Sequence, residues 1–241
     1  MLLTEQRTPV VASRYILHPV LYCGRKFDLR FIVVVRSVRP LVLAVYNRWI
    51  VRCADEQYCA SEFTNLRAHL TVMQYLDDVQ KHAATSTTQT PREWITREQL
   101  VKHLESTYGP AGSEKCIISA CHAVIVHCFQ LATSGVRGAA NEVVGIDPAE
   151  THTRTCACYG LDLLLLPNVS IRDGSQELQP VLLEVNYKPD LRRVLQENEQ
   201  FYNELFPVLF AGRAASAVDS DTNSQDPIPG WTNYVVTTEP P

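Results

Sequence analysis

A chain of 241 residues, 46% apolar and 20% charged, has the composition of a folded globular protein and room for one large domain or two small ones. A net charge of -4 excludes a surface built to coat nucleic acid, so no nucleic-acid partner is expected. The apolar runs "RFIVVV" and "LDLLLLP" read as strand-length rather than bilayer-length, so no membrane partner is expected either. The start "MLLTEQRTPVV" lacks the long apolar core of a secretory signal. The eight cysteines are therefore read as reduced thiols, in the cytoplasm or the nucleus.

Residues 1–12 read as a mobile lead-in, and Tyr15 to Tyr22 as extended chain interrupted by Pro19. Lys26 to Val35 alternates and then turns continuously apolar, as a strand does on entering a sheet interior. Leu41 to Tyr46 follows as the next strand after the Arg39-Pro40 turn, and Val51 to Tyr58 continues the β-rich half. The polar stretch 80–91 is a loop. Thr96 to Ser106 predicts a helix capped by Thr96, with Glu98 in its first turn. Ser113 to Thr133 predicts a longer one, with Ile117, Cys121, Val124, Cys128 and Leu131 on its apolar face. Two strands, Gly160 to Leu166 and Pro180 to Asn186, are joined by a polar loop and predicted to pair antiparallel. Leu191 to Phe210 reads as one amphipathic helix kinked at Pro207, and 213–241 as a disordered acidic tail. The fold class is α+β, an antiparallel sheet backed by helices.

Three places carry polar residues where a strand should be apolar. In "GRKFDLRF", side-chain alternation puts Lys26, Asp28 and Arg30 on one face. That row reads either as a solvated salt-bridge ladder or as part of a site. In "GLDLLLL", Asp162 stands alone in an apolar strand and needs a cation, a metal or hydrogen-bond donors. In "VLLEVNYKPDL", Glu184 and Asn186 share one face, leaving Leu183 and Val185 to pack on the other. Carboxylate and amide oxygens are hard ligands suited to Mg²⁺, which completes its shell with phosphates and water. If the two strands are neighbours, Asp162, Glu184 and Asn186 converge as a metal–phosphate site.

Other constellations carry less. Cys116, Cys121, His122, His127 and Cys128 fit no compact zinc spacing; Cys121 and Cys128 lie on the apolar helix face, and the cysteines read as core thiols. Cys156-Ala157-Cys158 lacks the spacing of redox motifs. Trp49 and Trp94 read as packing residues.

The order of motifs then identifies a family resemblance. "RYILHPVLYCGRKFDLRF", "HLT" at His69 to Thr71, "LDLLL" and "LLEVNYKPDL" resemble the tubulin–tyrosine ligase family, from about Pro9 to Phe210. The resemblance implies the central and C-terminal parts of an ATP-grasp domain. It implies ATP- and Mg²⁺-dependent ligation of a free amino acid to a carboxylate of tubulin or another protein acceptor. By resemblance, Ser13, Arg14, Tyr15 and Ile16 form the hinge along the adenine. Lys26 and Asp28 line the nucleotide, Lys26, Arg30 and Arg52 serve the reacting groups, and Asp162, Glu184 and Asn186 hold the metal.

Two residues depart from the pattern: Val72 stands where the family has the Asn of His-Leu-Thr-Asn, and Ser13 replaces a common Gln. The resemblance also begins at the hinge, beyond the family's phosphate-binding lysines and phosphate loop. The expectation is the C-terminal part of a longer protein, inactive alone. The alternative is a non-catalytic regulatory or binding protein on a ligase scaffold, a pseudoenzyme.

Overall fold

A computed structural model describes residues 12–38, 40–72, 94–133, 156–169, 174–210 and 229–236. The loop 80–91 and all of the lead-in before residue 12 lie outside these.

The fold is organised by one long strand. β1 (Leu21–Tyr22) turns into β2 (Arg25–Val38) through Cys23 and Gly24, whose φ values of 47° and 77° make a tight two-residue hairpin. β2 is long enough to have four partners. β5 (Ala157–Val169) lies along one edge, β4 (Ile50–Cys53) and β3 (Leu41–Tyr46) share the other, and β1 pairs with the first residues of β2. β6 (Gln176–Tyr187) pairs with β5, and β7 (Trp231–Val236) with β3. The order is β6-β5-β2-β3-β7, antiparallel throughout.

Alternation along β2 sorts its residues between two layers. Phe27, Leu29, Phe31, Val33 and Val35 face the main core. Helices α2 (Arg97–Tyr108) and α3 (Glu114–Thr133) fill that core with Leu100, Leu104, Ile117, Cys121 and Ile125. Ile32 and Val34 face a smaller core made with Tyr46, Trp231 and helices α4 (Arg192–Glu197) and α5 (Phe201–Phe210). Burial on both faces explains the unbroken apolar run "FIVVV". Lys26, Asp28 and Arg30 continue the smaller core's face toward the other end of β2, so the charged row and a hydrophobic layer share one surface. A short helix, α1 (Leu66–His69), lies beside that row.

The predicted helix at Thr96 begins as expected, with a full capping box between Thr96 and Gln99. Several expectations are corrected. The chain is not disordered throughout 213–241: Trp231 to Val236 pairs with β3 because its aromatic and β-branched residues suit a pleated edge. The helix expected over Leu191–Phe210 breaks at 198–200, not at Pro207. Asn198 leaves the helical ladder, accepts from the Gln200 amide and donates to Tyr46 Oη and Glu204.

The buried face of α3 is Ile117, Cys121, His122, Ile125 and Phe129; Leu131 is exposed. By length and composition α3 could cross a membrane, contrary to the reading of the apolar runs, but here it backs the sheet. The polar β5–β6 segment is mostly strand, since pairing continues through Val169↔Gln176. Leu183 and Val185 do not pack the sheet: they are 46% and 39% exposed. The β5–β6 register slips between Asp162 and Leu163, where Glu184 and Leu182 are the successive partners. This leaves Leu183 as a bulge residue.

Candidate functional site

One rung of the sheet carries the chemistry. Arg30 on β2, Asp162 on β5 and Glu184 on β6 are direct register partners across three adjacent strands. Arg30 grips Asp162 with both arms of its guanidinium, Nε to Oδ1 and Nη2 to Oδ2, each at 2.8 Å. Arg52 on β4 reaches the same carboxylate, Nη2 to Oδ2 at 2.7 Å, and donates from Nε to Asp28 Oδ1 at 2.6 Å. Thr71 donates its hydroxyl to the other oxygen of Asp28. At the outer end, Arg30 Nη2 lies 4.0 Å from Glu184 Oε1, which accepts from Asn186 Nδ2 at 2.7 Å. The result is a continuous lattice from Thr71 to Asn186.

Burial turns this lattice from a surface ladder into a site. Asp28 and Asp162 are each 1% exposed, and Lys26 is 8% exposed. A solvated face is therefore ruled out for the charged row of β2. Burial pushes the Asp162 carboxyl up, but the Arg30 hydrogen bonds and the Arg52 charge outweigh it and hold it below the usual range. For Asp28 burial wins over Arg52 and the carboxyl is pushed up. Burial lowers Lys26, with the Asp28 charge opposing. Burial also acts against Arg52, yet the charges of Asp28 and Asp162 keep it cationic.

Lys26 is held apart from the arginines. Its Nζ donates to Tyr15 Oη at 3.2 Å and sits 4.7 Å from the Tyr15 ring centroid. Tyr15 in turn meets His69 Nδ1 at 2.6 Å, and His69 Nε2 contacts the Glu62 carbonyl at 3.1 Å. Tyr58 donates to the Leu17 carbonyl at 2.9 Å, tying the segment after Tyr15 down.

The structure thus brings together Tyr15, Lys26, Asp28, Arg30, Arg52, Asp162, Glu184 and Asn186. Ser13, Arg14 and Ile16 lie on the chain either side of Tyr15, outside any helix or strand; Ser13 and Arg14 are exposed. Sequence reasoning quoted "HLT" without giving His69 and Thr71 a task. It missed Gly160 as well, where an added methyl would sit 2.7 Å from Pro189 Cβ. That contact seats the Lys188-Pro189 turn directly on the rung next to Asp162, where Gly160 pairs with Asn186. All eight cysteines are free thiols, and Cys121 is core. Trp49 is buried packing, whereas Trp94 is half exposed, with the Arg193 guanidinium 3.9 Å from its ring centroid.

The donor set fits a hard divalent cation. Among the described residues no three His, Cys, Asp or Glu side chains cluster as a metal cage; the third donor here is the Asn186 amide. Two guanidiniums already balance the charges of Asp28 and Asp162. A cation held by Asp162, Glu184 and Asn186 would therefore rely on further anionic ligands, as Mg²⁺ does with phosphates.

An antiparallel sheet backed by helices, with cations and carboxylates interleaved on one face, makes an α+β domain, consistent with the ATP-grasp-like fold of the family its sequence matches. The chain belongs to the tubulin-tyrosine ligase family, whose sequence model matches residues 1–225. It is 30% identical over 211 residues to tubulin--tyrosine ligase-like protein 12 of Homo sapiens, covering 86% of this chain and 30% of that protein. The Caenorhabditis elegans protein of the same name is 27% identical over 214 residues, covering 84% and 28%. A Tetrahymena thermophila protein named probable alpha-tubulin polyglutamylase Ttll1 is 26% identical over 210 residues, covering 81% and 41%. The chain spans about a third of the length of the protein-12 relatives it matches.

Proposed function

We propose that this chain carries a site of an ATP- and Mg²⁺-dependent ligase that joins a free amino acid to a carboxylate of a protein acceptor, tubulin being the acceptor class. The observation that carries the reading is the Arg30–Asp162–Glu184 rung, flanked by Arg52 and Lys26. Such chemistry brings a phosphorylated nucleotide and carboxylates together, so the site has to neutralise several negative charges at once. Lys26 supplies a compact cation with no carboxylate bonded to it among the described residues, suited to a phosphate oxygen. Arg30 and Arg52 supply planar forks suited to carboxylate or acylphosphate, oriented beforehand by Asp28 and Asp162. Asp162, Glu184 and Asn186 would hold Mg²⁺, which offsets phosphate charge when bound. A tubulin acceptor and eight free thiols suit a cytoplasmic setting.

Calorimetric titration of ATP with Mg²⁺ tests this reading. Binding by the chain, lost in Asn186→Ala and in Glu184→Gln, is the expected result. A parent chain that takes up no nucleotide would sink it.

A second reading is a regulatory or binding protein on the ligase scaffold. It is favoured by the closed ion lattice, in which both oxygens of Asp162 are taken by guanidinium, and by Val72 in place of the family's Asn. Nucleotide binding without incorporation of labelled amino acid into tubulin would select this reading over the first.

A further inference from the structure

Lys26 is an almost fully buried residue whose ammonium, among the described residues, hydrogen-bonds to a neutral phenol and not to a carboxylate. Isolated buried ammonium groups are costly, so the position of this one must be enforced by its surroundings. The enforcing groups come from two separate segments. Tyr15 belongs to the segment before β1; His69 ends helix α1.

The tautomer follows from the acceptors. A carbonyl only accepts, so His69 Nε2 carries the proton that meets Glu62 O at 3.1 Å. In the neutral ring Nδ1 then accepts, and Tyr15 Oη donates to it at 2.6 Å. Having donated its proton, the phenol oxygen is a better acceptor, and Lys26 Nζ donates to it at 3.2 Å. The imidazole is wedged by rings, with Phe63 stacked at 5.6 Å and Tyr58 edge-on at 5.1 Å. Two residues further along, Thr71 donates to Asp28. One tripeptide, His69-Leu70-Thr71, thereby addresses two charged residues of the same strand face.

We propose that Tyr15 and His69 are positioning residues that hold the Lys26 ammonium in place for an anionic ligand. Thr71 does the same for Asp28, and through it for Arg52. The part that concerns the ligand rests on the ligase reading above; the relay itself does not. The charged and titratable groups facing Lys26 are Tyr15 and Asp28, with His69 and Tyr58 one contact further out.

The test uses the full chain with ¹³C-labelled lysine, the Lys26 signal being assigned through Lys26→Arg. Tyr15→Phe keeps the ring and removes only the oxygen. It is expected to move the Lys26 titration midpoint downward and to weaken Mg–ATP about tenfold. His69→Phe should move both in the same direction. His69→Gln, which retains one donor and one acceptor, should restore much of the loss. Adding Tyr15→Phe to Lys26→Met should weaken Mg–ATP no further than Lys26→Met alone, because the two act as one unit. A Lys26 midpoint unmoved in both Tyr15→Phe and His69→Phe, in protein with the parent's circular dichroism and melting, overturns the relay whether or not nucleotide binds. Additive losses of Mg–ATP affinity overturn it too. If the parent chain binds no Mg–ATP, the ligase reading fails while the lysine midpoint still decides the relay.

Discussion

Asp162 and Glu184 face each other across one rung of β5 and β6, yet the Asp162 side chain is 1% exposed and that of Glu184 56%. The two carboxylates therefore differ in what their loss costs the fold. Asp162→Asn leaves two largely buried guanidiniums short of their counter-charge and is expected to cost about 3 kcal/mol in urea unfolding. Glu184→Gln loses only a 4.0 Å solvent-exposed ion pair and should stay within about 0.5 kcal/mol of the parent. Under the proposed ligase function, its effect is expected on Mg²⁺-dependent nucleotide affinity. Equal destabilisation by both substitutions would contradict this difference.

Gly160 makes room for the turn that follows the site strand. A methyl there meets Pro189 Cβ at 2.7 Å and lies 3.8 Å from Arg30 Nε. The proline ring has little freedom to yield, so Gly160→Ala should displace the Lys188-Pro189 turn at a cost of about 1–3 kcal/mol. Because Gly160 is the partner of Asn186, nucleotide affinity should fall with stability. Gly174→Ala, with open space around it but a φ of 70°, tests whether the Gly160 effect is steric rather than conformational. It should lower stability and leave nucleotide affinity unchanged.

Much of this site was legible because strand alternation is local. The period of two put Lys26, Asp28 and Arg30 on one face, and the structure keeps them there. What joins Arg30 to Asp162 is a pairing across 132 residues, and no local pattern encodes that register. Two strands away, the bulge took Leu183 out of the alternation, while Glu184 and Asn186 kept the shared face that the period of two gave them. On α3 the apolar face was chosen from apolar residues alone. His122 is buried there, so the true stripe is rotated toward Ile125 and Phe129. The short β7 was averaged into the polar composition around it, although "WTNYVV" has strand character when read by itself.

His122 offers a pH-dependent tie between α3 and β7. Its Nδ1 shares a hydrogen bond with Tyr234 Oη at 2.7 Å, Nε2 finds no partner among the described residues, and the residue is 4% exposed. Burial pushes the imidazole down from 6.5 to about 4. The folded value lies below the unfolded one, so between them the unfolded chain binds the extra proton. Stability is full above about pH 6.5 and is lost as pH falls toward 4, by on the order of 3 kcal/mol from this group. Urea unfolding at pH 7 and pH 4.5 should show that loss in the parent and a smaller one in His122→Gln. Asp162 works in a lower window. Its depressed value stabilises the fold above the ordinary carboxylate range, and that stability is lost only as pH falls through the folded value. An identical pH dependence in parent and His122→Gln would remove His122 from the account.

The terminal strand is a structural element of the sheet. Trp231 is 3% exposed, with its ring 4.9 Å from Tyr46 and 6.1 Å from Phe201. It joins β7 to α5 and to the edge of β3 in the smaller core. Gly230, at φ 83°, accepts from the Asn47 amide at 2.9 Å and sets the chain onto that edge. Trp231→Ala should therefore lower the unfolding free energy by about 3–5 kcal/mol. Val235 is 49% exposed on the same strand, and Val235→Ala should change it by less than about 0.5 kcal/mol. The smaller core shares its sheet face with Arg30 and Asp28, through Ile32 and Val34. Loosening it should propagate to the lattice, so Trp231→Ala is expected to weaken Mg–ATP binding as well as stability. Urea unfolding with and without Mg–ATP separates the two effects. A Trp231→Ala chain as stable as the parent would show that β7 is dispensable and restore a terminal segment without structural work.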